Sequence, residues 1–164
     1  LHHTKDTESS FKMLSKLLTK KGLISIYVYR KKGPLREFSD DYIRKSTIKM
    51  TEMQCMEFSK SMALLGKSLA HLKKKITIKE DIPLLEIKAG TYDIQRFLYW
   101  NFLKCWWSPD VPFDQSVATN YDWYFPKFAY RHSEKEVKKW FKDVKLKIVH
   151  FNEIESGFSI NGKN

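Results

Sequence analysis

Two adjacent histidines, His2 and His3, head the sequence in LHHTKDTESSF, directly before a helix-start signal. An imidazole can ligate a metal, accept a proton near neutral pH or line a pocket. Adjacent residues do not share a helix face, and no further His, Cys or Asp group is spaced to complete a metal site, so no metal is expected. A second set lies in NYDWYFPKFAYRH, where Asn120, Asp122, Tyr124, Arg131 and His132 alternate with Tyr121, Trp123 and Tyr130. Titratable groups among aromatics suit a lid over a pocket, and an aromatic loop pinned to the core would carry the same residues. His3 or His132 would then serve as general base toward an acceptor hydroxyl or amine. A third set, FLYWNFLKCWW, places Trp100 and its neighbours beside Arg96 and Lys104. Nucleic-acid bases stack on such aromatics, but the spacing equally describes a buried helix whose rings pack together or face an acceptor.

At 164 residues the chain has the length of one domain, and 42% hydrophobic and 15% aromatic residues suffice for a packed core. The net charge of +11 is carried mainly by lysine. It would suit RNA or another polyanion, or simply a solvated lysine surface, since the lysines are scattered. Cys55 and Cys105 have no partner spacing, which argues against a disulfide framework and points to a reducing, cytoplasmic setting. No apolar run approaches the ~20 residues of a membrane-spanning helix.

Asp6 is placed to cap a helix carrying Phe11, Leu14, Leu17 and Leu18 on one face, with Gly22 as its stop. LISIYVY (residues 23–29) reads as a strand, apolar at nearly every position and therefore expected to be buried on both faces. Near the other end, Ser133 and Glu136 have capping-box spacing. Val137, Trp140, Phe141 and Val144 follow as an amphipathic stripe, and LKIVHFNEI and FSINGK form an antiparallel hairpin about the ESG turn. The middle, residues 35–126, shows helical spacing in DDYIRKSTIKMTEMQCMEFSKSMALLGKSLAHL and in GTYDIQRFLYWNFLKCWW, with no strands expected.

In order, these pieces resemble the C-terminal half of a class I S-adenosylmethionine-dependent methyltransferase. LHHTKDTE is similar to the end of that family's fourth strand and the capped turn after it. LTKKGLISIYVY resembles its fifth strand, with Lys21 where a glycine is usual, and YDWYFPKFAYRHSEKEVKKWFKDVKLKIVHF resembles its last helix and final hairpin. The resemblance implies an α/β, Rossmann-like sheet of which this chain supplies the last three strands. Residues 1–34 and 127–164 would form the core, and residues 35–126 a mostly helical insertion capping the acceptor site. It further implies S-adenosyl-L-methionine as cofactor, Leu1 and His2 beside it, His3 or His132 as base, and an acceptor-binding wall of Tyr29, Trp100, Asn120, Asp122, Trp123, Tyr124, Tyr130 and Arg131, the acceptor being a small molecule. None of the six glycines forms the glycine-rich cofactor loop of the family's first half, so the expectation is a parent enzyme cut at its fourth strand. The 164 residues alone would bind the cofactor poorly, and the strand edge left open should favour aggregation. A non-enzymatic basic module gripping RNA, and a truncated domain without activity, are the competing expectations.

Overall fold

A computed structural model describes residues 1–164. The chain forms two compact units, residues 1–31 with 127–164, and residues 32–126. Each has its own interior, because the chain leaves the first unit after one strand and returns to it only after a long excursion.

The first unit contains α1 (Thr7–Ser15), β1 (Leu23–Arg30), β4 (Arg131–His132), α6 (Glu134–Asp143), β5 (Lys147–Glu153) and β6 (Gly157–Lys163). The Asp6 carboxylate accepts from the Ser9 amide at 2.9 Å, as an N-cap should. α1 stops at Ser15, earlier than expected, and Gly22 instead closes a separate turn by donating to the Thr19 carbonyl. The Ser133–Glu136 capping box forms in both directions at the start of α6. The four strands make a mixed sheet ordered β4-β1-β6-β5, in which β1 runs parallel to β4 and antiparallel to β6, and β6 antiparallel to β5. Ile24, Ile26 and Val28 join Phe11, Val137, Trp140, Phe141, Phe158 and Ile160 in the core.

Burial of β1 on both faces is not what the structure shows. Its residues alternate between buried Ile24, Ile26 and Val28 and a second set in which Leu23 is 58% exposed and Ser25 is exposed. The core built with α1 and α6 collects only the first set, so the period of two in side-chain direction leaves the other set less covered. β4 is only two residues long and pairs with Tyr29 and Arg30, leaving Leu23–Val28 with no strand on that edge. Beside this stretch runs a groove of about 340 Å³ walled by Leu14, Leu17, Leu18, Ile24 and Ile26.

The second unit holds α2 (Pro34–Thr47), α3 (Glu52–His71), β2 (Lys75–Ile78), β3 (Gly90–Asp93), α4 (Ile94–Asn101) and α5 (Phe113–Tyr124). Three expectations need correction. The long helical segment is two helices, split where Thr51 and Gln54 form a capping box that starts α3 afresh. The middle is not free of strands, since Ile76 pairs with Tyr92 and Thr77 with Thr91 in an antiparallel β2–β3 hairpin. GTYDIQRFLYWNFLKCWW is helical only over α4. Beyond it the chain is threaded past α3, with the Cys105 carbonyl accepting from Gln95 at 3.1 Å and lying against Gly66.

Candidate functional site

At the carboxyl end of β1 the first unit brings together residues from three distant segments. Tyr29 lies opposite Arg131 and Arg30 opposite His132 in the parallel β1–β4 pairing. The Tyr130 amide donates to the His2 carbonyl at 2.9 Å, which ties the N-terminal segment to the same edge. The His2 ring lies 3.8 Å from that of Tyr29 and 4.3 Å from that of His3, and His3 meets Tyr29 edge-on at 5.6 Å. His2, His3 and Tyr29 are therefore in mutual ring contact at the carboxyl end of β1, with Arg131 opposite Tyr29.

Leu1 and His2 are largely engaged within the chain. Leu1 packs on the core, and its carbonyl accepts from the Thr4 amide and hydroxyl. His2 is only 8% exposed and its Nδ1 lies 3.3 Å from the Tyr27 carbonyl. His3 is held as well, with its Nε2 buried. Its Nδ1 donates to the Phe128 carbonyl at 2.7 Å, so in the neutral ring the proton sits on Nδ1 and Nε2 carries the basic lone pair.

His132 does not join this cluster. Paired strands put neighbouring side chains on one face, so Tyr29 and Arg131 share a face while His132 belongs to the other, where its ring meets Trp140 at 4.6 Å. There it lines a cleft of about 320 Å³ with Lys5, Asp6, Thr7, Tyr130 and Glu136. Its Nε2 and the Thr7 hydroxyl are buried without a hydrogen-bond partner. Burial lowers the His132 pKa, with Lys31 adding to the effect and Glu136 and Glu8 opposing it. Glu136 on the same cleft is desolvated, which alone would raise its pKa. The Ser133 amide and hydroxyl and the Lys31 ammonium outweigh that and hold it at about 2.

This gives a signed pH dependence. The unfolded chain protonates His132 at its ordinary value near 6.5 and the folded chain only below it, so the unfolded state binds more protons between the two. Stability from this residue is complete above pH 6.5 and is lost as pH falls through the lower folded value. The His132 ring proton should titrate below 6.5 by NMR, and His132→Phe should flatten the stability profile in that window. A normal titration midpoint would contradict the burial assigned to this ring.

The remaining acceptor-wall residues lie in the second unit. Asn120, Asp122, Trp123 and Tyr124 were expected on a lid loop, but they occupy the last turns of α5, whose buried face repeats through Ser116, Val117, Asn120, Trp123 and Tyr124. Pro126 ends this helix rather than breaking it. The Asn120 side chain clamps both the amide and the carbonyl of Trp106 at 2.9 Å. The Tyr124 hydroxyl donates to the Lys104 carbonyl at 2.8 Å, and burial raises its pKa well above the usual tyrosine value. Trp123 is buried under Arg36 and Lys104, and Trp100 is half-buried beneath the Lys32 ammonium. Asp122 is exposed. Asn120, Trp123 and Tyr124 thus hold the unit's interior rather than a loop.

Sequence reasoning missed Tyr27, whose hydroxyl donates to Ser156 at 2.9 Å and whose ring meets those of His2 and Tyr29 edge-on. The signal was present, since Tyr27 and Tyr29 are two apart in a strand and must share a face. Gly157, opposite Tyr29, is needed there: a Cβ would come within 2.7 Å of the Tyr27 hydroxyl.

Comparison of the chain with protein-family models, with curated proteins and with solved structures finds no match.

Proposed function

We propose that this chain is the acceptor-side part of a class I S-adenosylmethionine-dependent methyltransferase with a Rossmann-like sheet, acting on a small-molecule acceptor. The observation that carries the proposal is the sheet of the first unit. β1, the strand that resembles the family's fifth, takes as its neighbour the last strand of an antiparallel terminal hairpin. Together they would be the last three strands of the parent sheet. The histidines and tyrosines at the carboxyl end of β1 add support, because they stand where such a sheet binds its ligands.

The residues present do not make a cofactor site by themselves. The chain has no glycine-rich loop between a strand and a helix, and the polar atoms of Leu1 and His2 noted above are turned to the chain's own backbone. The methyl donor would be held by another segment. What this chain would contribute is the acceptor's position, with His3, oriented through Nδ1 by the Phe128 carbonyl, as the base; its Nε2 is buried, so the ring would have to be uncovered before that nitrogen could accept the proton of an acceptor hydroxyl or amine. Tyr27 and Tyr29 would form an aromatic wall beside it. Alignment supplies most of the rate in displacement at a methyl group, so the wall would matter as much as the base.

The coding sequence upstream of Leu1 is the decisive test. A strand followed by a Gly-x-Gly loop, then a second strand ending in an acidic residue, is the expected result. In that case the extended chain should bind S-adenosylhomocysteine by calorimetry and the 164 residues alone should not. An upstream sequence without those features would sink the proposal.

A further inference from the structure

The charge of the chain is unevenly divided. Residues 1–31 and 127–164 carry sixteen lysines and arginines against seven acidic residues, so most of the net +11 belongs to the first unit. Part of that excess gathers at the end of the sheet away from the histidine cluster. Lys163 lies opposite Leu23 on one side and opposite Lys147 on the other. Lys20 and Lys21 sit in the turn that leads into β1, and Asn164 holds this turn by donating to the Thr19 carbonyl at 2.7 Å. Lys142 and Lys145 lie in the tight turn from α6 into β5, where the Lys145 amide donates to the Lys142 carbonyl.

All six lysines are exposed. The one acidic side chain in these segments, Asp143, is already bound by Lys139. Like charges opposite one another on neighbouring strands are destabilising, yet the fold sets Lys147 beside Lys163. Three neighbouring strands span only about 10 Å, close to the ~8 Å screening length at physiological salt, so the lysines act as one positive field. Leu23, opposite Lys163, is 58% exposed, and Leu17, which precedes the Lys20–Lys21 turn, is 79% exposed. No aromatic residue occurs in residues 16–23, 142–147 or 162–164.

We propose that this lysine-rich end of the sheet docks on an anionic phospholipid membrane surface, with Leu17 and Leu23 entering the headgroup boundary. Clustered lysines are attracted to acidic headgroups, and exposed leucines gain by leaving water there. A nucleic-acid backbone would satisfy the lysines but not the leucines, and single-strand binders add the stacking aromatics that these segments lack. The surface is independent of the methyl-transfer reading.

Vesicle co-sedimentation of the 164-residue chain provides the test. Binding to phosphatidylcholine vesicles containing roughly 30% phosphatidylserine should exceed that to pure phosphatidylcholine by about tenfold or more at ~0.15 M salt. The triple variant Lys145→Glu/Lys147→Glu/Lys163→Glu should lose that gain. The variant Lys73→Glu/Lys74→Glu/Lys75→Glu, with the same charge change in the second unit, should keep it. All six substituted side chains are exposed, and circular dichroism checks that each variant is folded. Leu17→Asn/Leu23→Asn should weaken vesicle binding without changing net charge. Equal loss in both triple variants would overturn the proposal, as would a single-stranded RNA oligonucleotide that binds more tightly than the vesicles and loses affinity in the first triple variant.

Discussion

Replacing Asp40 by alanine is expected to cost the second unit about 3–5 kcal/mol, the usual penalty for removing one partner of a buried ion pair. Asp40 and Arg36 are 0% and 1% exposed, one helical turn apart on α2, with the guanidinium Nε 2.8 Å from the carboxylate. Arg36 also donates to the Tyr99 carbonyl and lies over the rings of Tyr99 and Trp123 at 5.1 and 5.6 Å. Arg44 and Lys104 are buried too, so Asp40 is the only buried carboxylate beside three buried cations. Arg44 is met by the carbonyls of Trp123, Tyr124 and Pro126 at the end of α5, and Lys104 by the Tyr99 hydroxyl and two ring faces. Asp40 is the carboxylate that Arg36 pairs with in that interior. Without it a guanidinium would be left in a site that no longer neutralises it. Urea unfolding followed by tryptophan fluorescence measures the loss, since four of the five tryptophans lie in this unit. Asp40→Leu with Arg36→Met should recover most of the stability, because an apolar pair of similar volume leaves no unpaired charge. A loss below about 1 kcal/mol in Asp40→Ala would mean that water reaches the pair.

The second large effect concerns the core of the first unit. Phe141 is fully buried, its ring 4.6 Å from that of Phe11 and lying on the backbone of Gly162, where a Cβ would stand 2.5 Å from Cε1 and 2.7 Å from Cδ1. Phe141→Ala should cost about 3–5 kcal/mol through lost contacts and a cavity. Gly162→Ala should cost about 1–3 kcal/mol by overpacking against the ring. The two should not add. The methyl that clashes with the phenyl ring fits the space its removal leaves, so the double variant should be more stable than the sum predicts by about 0.5–3 kcal/mol. Additive losses would place the ring elsewhere.

The correct expectations were mostly local ones. The Asp6 cap, the Ser133–Glu136 box, the stripe from Val137 to Phe141 and the terminal hairpin all rest on interactions within a few residues, which spacing alone displays. The missed β2–β3 hairpin had an alternating signal in KITI, obscured by the two lysines directly before it. The lid loop failed because NYDWY was judged by its aromatics, when the spacing of Ser116, Asn120, Trp123 and Tyr124 was helical. Of the candidate site, the Tyr27–Tyr29 face was legible as a strand pattern. That Tyr29 shares an edge with His2 and His3 was expected; the bonds that tie these histidines to Phe128 and Tyr130 were not, because they join segments more than a hundred residues apart.

By itself the sequence determined where elements start, where several stop and which residues of α6 would be buried, since capping bonds and apolar stripes act over one or two turns. Only the tertiary structure decided that one set of β1 residues is covered and the alternate set is not, and that His3 and His132 belong to opposite faces of one sheet. It also put Arg36, Asp40 and Lys104, ordinary surface residues by type, into the interior of the second unit. The reason is common to all three. A strand offers two equivalent faces, and a charge can be buried only where distant carbonyls, rings and carboxylates converge to replace its water.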